Sequence, residues 1–322
     1  TSSQRILLIN HIRMDGDAWG SLWGLALVLK DMWKQVQAIN DDRVPESLDF
    51  LWESELIDPD LDVEEYNPDI IISLDAADQD RLWNSYIKWK NIFDAKPLIV
   101  IDHHISNPWF WDINIIDVES SSVCELLTHI LTDLNLSNHI THEAATFFYT
   151  GIQTDTHMYA TSNTTHNTLL AGAKLIELWA NFRLPIEKCF RQKIKEQIIA
   201  WRLAYNALKI TEDWNISYSN ISKEDIEKSW LELSKMSEYL KWFINETLIN
   251  IQNVKVSFLL YPLESWETKW SMRSQDAYDV NTIAWKFWWG WHKQAAWLQS
   301  KLSKEDLEQQ LLIEINKQLL SS

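Results

Sequence analysis

Short apolar runs alternate with stretches of helical periodicity through the first half of the chain, the pattern of a parallel α/β sheet. ILLIN at Ile6–Asn10, VQAIN at Val36–Asn40, IIISLD at Ile70–Asp75 and LIVID at Leu98–Asp102 read as buried strands. After the first strand a loop, HIRMDGD, leads into a helix with apolar residues at Leu22, Leu25, Ala26 and Leu29. Further helices are predicted at about Ser121–Leu134, His142–Ile152 and Thr164–Leu178. From Pro185 a charged helical pattern runs to about Leu208 without a strong break, which predicts a connector. Beyond it, Asn215–Ser219, Lys255–Tyr261 and the segment around Met272 read as strands. Helices are expected there near Glu224–Glu232, Met236–Leu248, Val280–Phe287 and Lys304–Leu319. The predicted organisation is a parallel-sheet α/β domain over 1–184, a connector helix over 185–210, and a smaller α/β domain over 211–322.

With 322 residues, 46% of them apolar and 23% charged, the chain can build two ordinary cores. The longest apolar runs fall far short of a membrane span. TSSQR at the start carries no basic flank before a long apolar stretch, so a cytoplasmic protein is expected. Cys124 and Cys189 are too few and too far apart for a disulfide framework or a structural zinc site. The net charge of −17 excludes broad electrostatic binding to duplex DNA, which needs a basic surface. A short phosphorylated ligand, held by metals and a few basic groups, is still compatible with it.

Glycine and tryptophan depart from ordinary usage together. There are 6 Gly and 20 Trp, whereas a chain of this length would carry about 23 Gly at average usage. Several Trp stand where the backbone asks for glycine. Trp214 lies in the turn EDWN, Trp33 ends a helical pattern in KDMWK, and Trp288, Trp289 and Trp291 crowd one loop, FWWGWH. The set reads as glycine positions written as tryptophan, as happens when UGA codons that the source organism reads as glycine are translated as Trp. Trp19 need not belong to the set.

Four element ends in the first half carry metal-ligand side chains. His11, Asp15 and Asp17 follow the first strand as H-x-x-x-D-x-D; Asp75 closes IIISLD; Asp102, His103 and His104 close LIVID; Asp155 follows GIQT. In an open parallel sheet the carboxyl ends of the strands converge on one crevice, so these groups can meet. Carboxylates mixed with imidazoles suit Mn²⁺, Fe²⁺ or Zn²⁺, and the surplus of oxygen ligands leans toward manganese. Clustered without metal, five carboxylates would repel strongly. A lone Asp at a strand end is more often a helix cap, so it is the conjunction that carries the reading. His129, His139, His142, His157 and His166 lie outside it and read as structural or surface groups. Asn163 and Thr164 read as a cap for the next helix.

At these residues the chain resembles the DHH phosphoesterase superfamily, through NHIRMDGDAWGS, SLDAADQDRLW, IDHHISNPWFWDINIID and TGIQTDTHMYATSNTT. Its second half is similar to the family's DHHA1 domain through SMRSQDAYDVNTIAWKFWWGWHKQAAW. With glycine at the Trp positions that stretch becomes F-G-G-G-G-H-K-Q-A-A-G, the family's binding loop. Trp83, Trp111, Trp179, Trp288, Trp289, Trp291 and Trp297 all align with family glycines. The resemblance implies a mixed sheet in the second domain and two Mn²⁺ sites in the first. His11, Asp15 and Asp75 would hold one ion; Asp17, Asp75, His103 and Asp155 would hold the other, with Asp75 bridging. Asp102 would orient an imidazole and His104 would face the substrate phosphate. Arg273, Ser274, Trp288, Trp289, Gly290, Trp291 and His292 would contact the substrate. Met14 stands where relatives often have Pro. The chain also enters its first strand without the family's preceding helix, which points to a truncated or mis-called start.

The activity implied is two-metal hydrolysis of a phosphoester by a bridging hydroxide, acting on short oligoribonucleotides as a nano-RNase, on 3′-phosphoadenosine 5′-phosphate, or on both. Two alternatives stay open: cleavage of cyclic di-adenosine monophosphate or its linear product, and a non-catalytic nucleotide-binding protein. Relatives of this architecture imply a homodimer.

Overall fold

The computed structural model describes residues 3–12, 14–40, 46–51, 61–76, 82–108, 111–265, 267–275, 278–287 and 293–321. The chain divides into two compact units, Thr1–Gln192 and Lys193–Ser322.

The first unit is built on five strands, β1 (Arg5–Asn10), β2 (Gln35–Ile39), β3 (Ile70–Leu74), β4 (Leu98–Asp102) and β5 (Ile113–Ile116), ordered β2-β1-β3-β4-β5. Every pair is parallel. The four predicted strands are present, and β5 is added at the edge. Its INII is only half-buried, so it lacks the continuous apolar run that marks the central strands. One face of the sheet packs Leu7, Ile9, Ile39, Ile71, Leu98 and Val100 into a core closed by Val63 and Phe93.

After β1 the chain crosses to β2 on one side; β3 then joins β1 on the other side. The carboxyl ends of β1 and β3 therefore open a crevice at the switch point. Helix Gly16–Asp31, starting at that crevice, is buried over most of its circumference and lies against helix His142–Asp155. Contact this close needs glycine. A Cβ on Gly20 would sit 2.5 Å from the Phe147 carbonyl, one on Gly24 would sit 2.4 Å from the Phe148 ring, and one on Gly151 would sit 2.2 Å from Cys124 Sγ.

The second unit carries a mixed sheet ordered β10-β9-β8-β7-β6. Its strands are β6 (Leu208–Ile210), β7 (Ile216–Asn220), β8 (Val256–Pro262), β9 (Thr268–Ser274) and β10 (Ala295–Ser300). Only β7 and β8 pair in parallel. Phe258, Trp270, Met272 and Leu298 pack against Leu307, Leu311 and Ile315 of the helix Lys304–Ser321. On the other face Leu259 and Tyr261 meet Ala200, Phe243 and Leu248.

Three expected helices are divided. The pattern from Pro185 to Leu208 breaks where Gln192 and Ile194 take extended dihedrals, and helix Lys195–Asn206 starts afresh. The Glu224–Glu232 pattern ends at Lys228, before Trp230 at φ 58°. The Met236–Leu248 pattern is split into Met236–Tyr239 and Phe243–Glu246, with Trp242 at φ 67° between them.

Candidate metal centre

His11 leaves the end of β1 fully buried. Its Nδ1 lies 2.6 Å from the Ile12 carbonyl, and its Nε2 lies 3.2 Å from Asp75 Oδ2. The turn is fixed by two asparagines: Asn10 Nδ2 donates to the Ala18 carbonyl at 2.8 Å, and Asn40 Nδ2 donates to the His11 carbonyl at 3.1 Å. Asp15 caps the following helix, its Oδ1 accepting from Asp17 N and Ala18 N at 3.1 Å each. This cap satisfies orphan amides with one oxygen only. The cap reading and the ligand reading are therefore compatible at this residue.

Asp17, in the first turn of that helix, is buried and reaches across to another. Its Oδ2 accepts from Val123 N at 2.7 Å and its Oδ1 from Cys124 N at 2.9 Å, the first amides of helix Val123–Asp133. Asp75 follows β3 with φ 56°, a left-handed backbone that costs a non-glycine residue energy and clusters at functional sites. It is held there as its amide donates to the Ile101 carbonyl on β4 at 3.1 Å.

His103 Nδ1 lies 3.3 Å from the Ser120 carbonyl, while Nε2 lies 3.5 Å from Asp75 Oδ1 and 3.6 Å from Asp155 Oδ2. His104 Nδ1 sits 2.8 Å from Asp102 Oδ1. Asp102 also accepts from the amides of His103 and His104 and, on Oδ2, from Asn107 Nδ2 at 2.7 Å. This is the carboxylate–histidine arrangement that fixes tautomer and ring orientation.

Ligand atoms of His11, Asp15 and Asp75 lie within 4.8 Å of one another, and so do those of Asp17, His103 and Asp155 and those of Asp75, His103 and His104. Burial and the neighbouring Asp75 charge push Asp17 up to about 7. Burial, together with the charges of Asp17 and Asp15, pushes Asp155 well above the carboxylate range. Burial would raise Asp75 too, but bonds from His103 and His11 outweigh it and hold that carboxyl low. Burial lowers the His103 pKa, but Asp75 and Asp155 overcome it and lift the imidazole well above its ordinary value. Buried acids drawn toward neutrality around charged imidazole are what a divalent cation would relieve. Asp75 Oδ1, buried and facing the His103 and His104 rings at 3.5 and 3.4 Å, is suited to a shared ligand. The donor set fits a metal pair.

None of the other described histidines belongs to these ligand groups. His129 pairs with Glu125, His139 with Asp31 and His142 with Glu143, while the His157 ring packs edge-on against Phe190 at 5.1 Å. Asn163 bridges the Ser121 and Asp155 carbonyls, and Thr165 caps the next helix in its place. Sequence reasoning passed over Asn10, Asn40 and Asn107. The signal was available in Asn10 and Asn107, polar residues adjoining the H-x-x-x-D-x-D and DHH stretches.

In the second unit Arg273 is half-buried on β9; its Nε donates to Asn245 Oδ1 at 3.0 Å and its Nη1 to the Met272 carbonyl at 2.8 Å. Burial draws its pKa down to about 10. No carboxylate pairs with it among the described residues. Ser274 has the opposite orientation along the strand: it is buried, and its hydroxyl donates to the Tyr278 carbonyl. Trp288, Trp289, Gly290, Trp291 and His292 lie outside the described residues.

An open parallel sheet with carboxylate–imidazole clusters at its carboxyl edge forms a candidate divalent-metal site of the kind found in metal-assisted enzymes. The DHH family, N-terminal domain, matches residues 5–152. Over 297 residues, 90% of this chain and 88% of the relative, the sequence is 25% identical to the bifunctional oligoribonuclease and PAP phosphatase NrnA of Bacillus subtilis. It is 32% identical over 173 residues to the protein of the same name from Thermus thermophilus, covering 53% of this chain and 49% of that one. An exopolyphosphatase-related protein from Bacteroides fragilis shares the fold, with a TM-score of 0.86 at 23% identity over 98% of this chain and 93% of that one. Residues 5–152 match the DHH family's N-terminal domain, and that match together with the NrnA relatives indicates a phosphoester-hydrolysing enzyme.

Proposed function

We propose that the enzyme hydrolyses short oligoribonucleotides and 3′-phosphoadenosine 5′-phosphate, with two divalent ions, manganese by preference, held by His11, Asp15 and Asp75 and by Asp17, Asp75, His103 and Asp155. The observation that carries the reading is the pair of ligand groups, His11–Asp15–Asp75 and Asp17–His103–Asp155, joined by Asp75 contacts to His11 and His103. Bound there, the ions would supply positive charge to the phosphate and lower the pKa of water. The oxygen-rich donor set supports manganese over softer metals.

The chain's own groups account for the rest. Asp102 holds the His104 ring through Nδ1 and so orients it for the phosphate on which charge develops. Asn107 holds Asp102 in turn. Arg273, a cation carrying no carboxylate partner among the described residues, fits the phosphate of an anionic ligand. Asn245 Oδ1 and the Met272 carbonyl occupy Nε and one Nη1 hydrogen and leave the others for that ligand.

The test is hydrolysis of diadenylate RNA and of 3′-phosphoadenosine 5′-phosphate with Mn²⁺, using Asp75→Ala as control. Mononucleotide release abolished by the substitution supports the proposal. A folded, manganese-loaded protein that turns over neither substrate refutes it and directs attention to cyclic di-adenosine monophosphate.

A further inference from the structure

Twelve described residues other than glycine have positive φ, and five of them are tryptophan: Trp33, Trp179, Trp214, Trp230 and Trp242. No described glycine does. In an ordinary chain the distribution runs the other way. Glycine enters the left-handed region freely because it has no Cβ, asparagine follows it, and bulky residues are outliers there.

The hydrogen bonds around three of these residues identify what the backbone is doing. At the end of helix Gly16–Asp31, Trp33 N donates to the Lys30 carbonyl and Lys34 N to the Leu29 carbonyl. At the end of helix His166–Glu177, Trp179 N donates to Ile176 and Ala180 N to Leu175. After Lys228, Trp230 N donates to Glu227 and Leu231 N to Ile226. Each is the same double cap, whose left-handed position is filled by glycine more often than by any other residue. A fourth copy closes helix Val123–Asp133: Asn135 N donates to Thr132 and Leu136 N to Leu131, with Asn135 at φ 57°. Asparagine, the usual second choice, confirms the type of position by its presence. Trp214 closes the turn between β6 and β7, its amide donating to the Thr211 carbonyl, where hairpins of this kind also use a left-handed glycine.

Packing gives no counter-reason for an indole at four of these sites, Trp242 being half-buried. Trp33, Trp179 and Trp230 are 91%, 82% and 95% exposed, so the largest apolar side chain stands in water at each helix end. Trp214 is 52% exposed. The described glycines serve another purpose: Gly16, Gly20, Gly24, Gly151 and Gly172 all sit in helices at close contacts. A protein with helix-packing glycines and none at its left-handed caps has had one class of glycine replaced.

We propose that glycine occupies positions 33, 179, 214, 230 and 242 in the natural protein, and that tryptophan stands there because a codon read as glycine in the source, UGA, has been translated as Trp. Trp230 and Trp242 enter this set from the backbone alone, because their sequence surroundings read as uninterrupted helix. Trp19 and Trp23 lie in a helix interior with ordinary φ, make no demand for glycine, and are not assigned.

Peptide mass spectrometry of the protein from its source, read against its gene, is the direct test. Glycine-containing peptides over these five positions, with UGA codons, are expected; UGG codons or tryptophan-containing peptides would overturn the assignment. A second measurement separates the backbone from the indole. Thermal unfolding is compared for the chain as written, for one with Trp→Gly at all five positions, and for one with Trp→Ala at the same five. The Gly version is expected to unfold roughly 5–10 °C above the chain as written, with the Ala version clearly below the Gly version because its Cβ retains the left-handed strain. An Ala version as stable as the Gly version, or a written chain as stable as both, would refute the proposal.

Discussion

Substituting Gly151 by alanine would press on the candidate metal centre from behind. Gly151 lies on helix His142–Asp155 where it meets helix Gly16–Asp31; an added Cβ would lie 2.2 Å from Cys124 Sγ, 2.9 Å from Cys124 Cβ and 2.7 Å from Asp17 Oδ1. Cys124 and Asp17 are both fully buried, so neither can swing into solvent. Overpacking of this kind costs about 1–3 kcal/mol, against roughly 1 kcal/mol gained from alanine's helix propensity. The collision involves three atoms well inside contact distance, so the upper part of that range applies and the net loss should be about 2 kcal/mol. For a unit of this size that is a fall in Tm of roughly 4–8 °C. Thermal unfolding of Gly151→Ala, Cys124→Ala and the double variant would be measured beside Mn²⁺ affinity by titration. Cys124→Ala removes Sγ and should return part of the lost stability to the double variant. It leaves the contact with Asp17 Oδ1 untouched, so manganese affinity should stay depressed. Full recovery of both quantities, or a Gly151→Ala protein as stable as the parent, would show that Asp17 is not held by this contact.

Asn107→Ala removes the donor to Asp102 Oδ2 and should lower activity about 10–100-fold by loosening His104, with little change in KM; an unchanged kcat would refute the positioning role. Chelation should lower the Tm without unfolding the protein at room temperature. Mn²⁺ restored to 100 times its Kd should return about 2.7 kcal/mol, read by calorimetry; a Tm indifferent to manganese would count against the metal sites. The Glu125–His129 pair, 3.7 Å apart, gives a pH dependence of known sign. The Glu125 contact raises the His129 pKa above 6.5, so its stabilisation is present below that value and is lost as pH rises through the folded-state pKa. Burial pushes Glu125 up, yet bonds from His129 and Ser121 hold it below 4.5, so its share is lost as pH falls through the lower folded pKa. His129→Gln should therefore cost most between about pH 4.5 and 6.5, by roughly 0.5–1 kcal/mol, since the ring is a third exposed. A pH-independent difference would refute it.

The central strands were legible because burial on both faces writes them as unbroken apolar runs, as in LIVID and IIISLD. β5 and β6 were not, being short edge strands whose INII and LKI are half-buried at best. β10 runs through AAWLQS, whose tryptophan and small residues hide the alternation that its burial shows. Two of the three helix breaks share one physical reason. Read as tryptophan, positions 230 and 242 continue a helix; as left-handed caps they stop it. The candidate ligand residues stand out by type and by their place at strand ends. The partners that aim them were not, because Asn40, Ser120 and Val123 act through a side chain or main-chain group that no motif records. Arg273 and Ser274 both came from the family resemblance; on β9, as neighbours on a strand, they face opposite ways.

Asp15 and Asp17 each terminate a helix by accepting its first amides, Asp15 its own and Asp17 one beginning more than 100 residues later. Both acids are thus fastened before any ion arrives, and part of their charge is answered by peptide dipoles. The cage is a by-product of finished secondary structure. Ions should then enter and leave a completed scaffold, so that loading is governed by diffusion and water exchange at the metal rather than by refolding of the chain. Enzyme drained of divalent ions would keep its shape in storage and regain activity on the time scale of mixing.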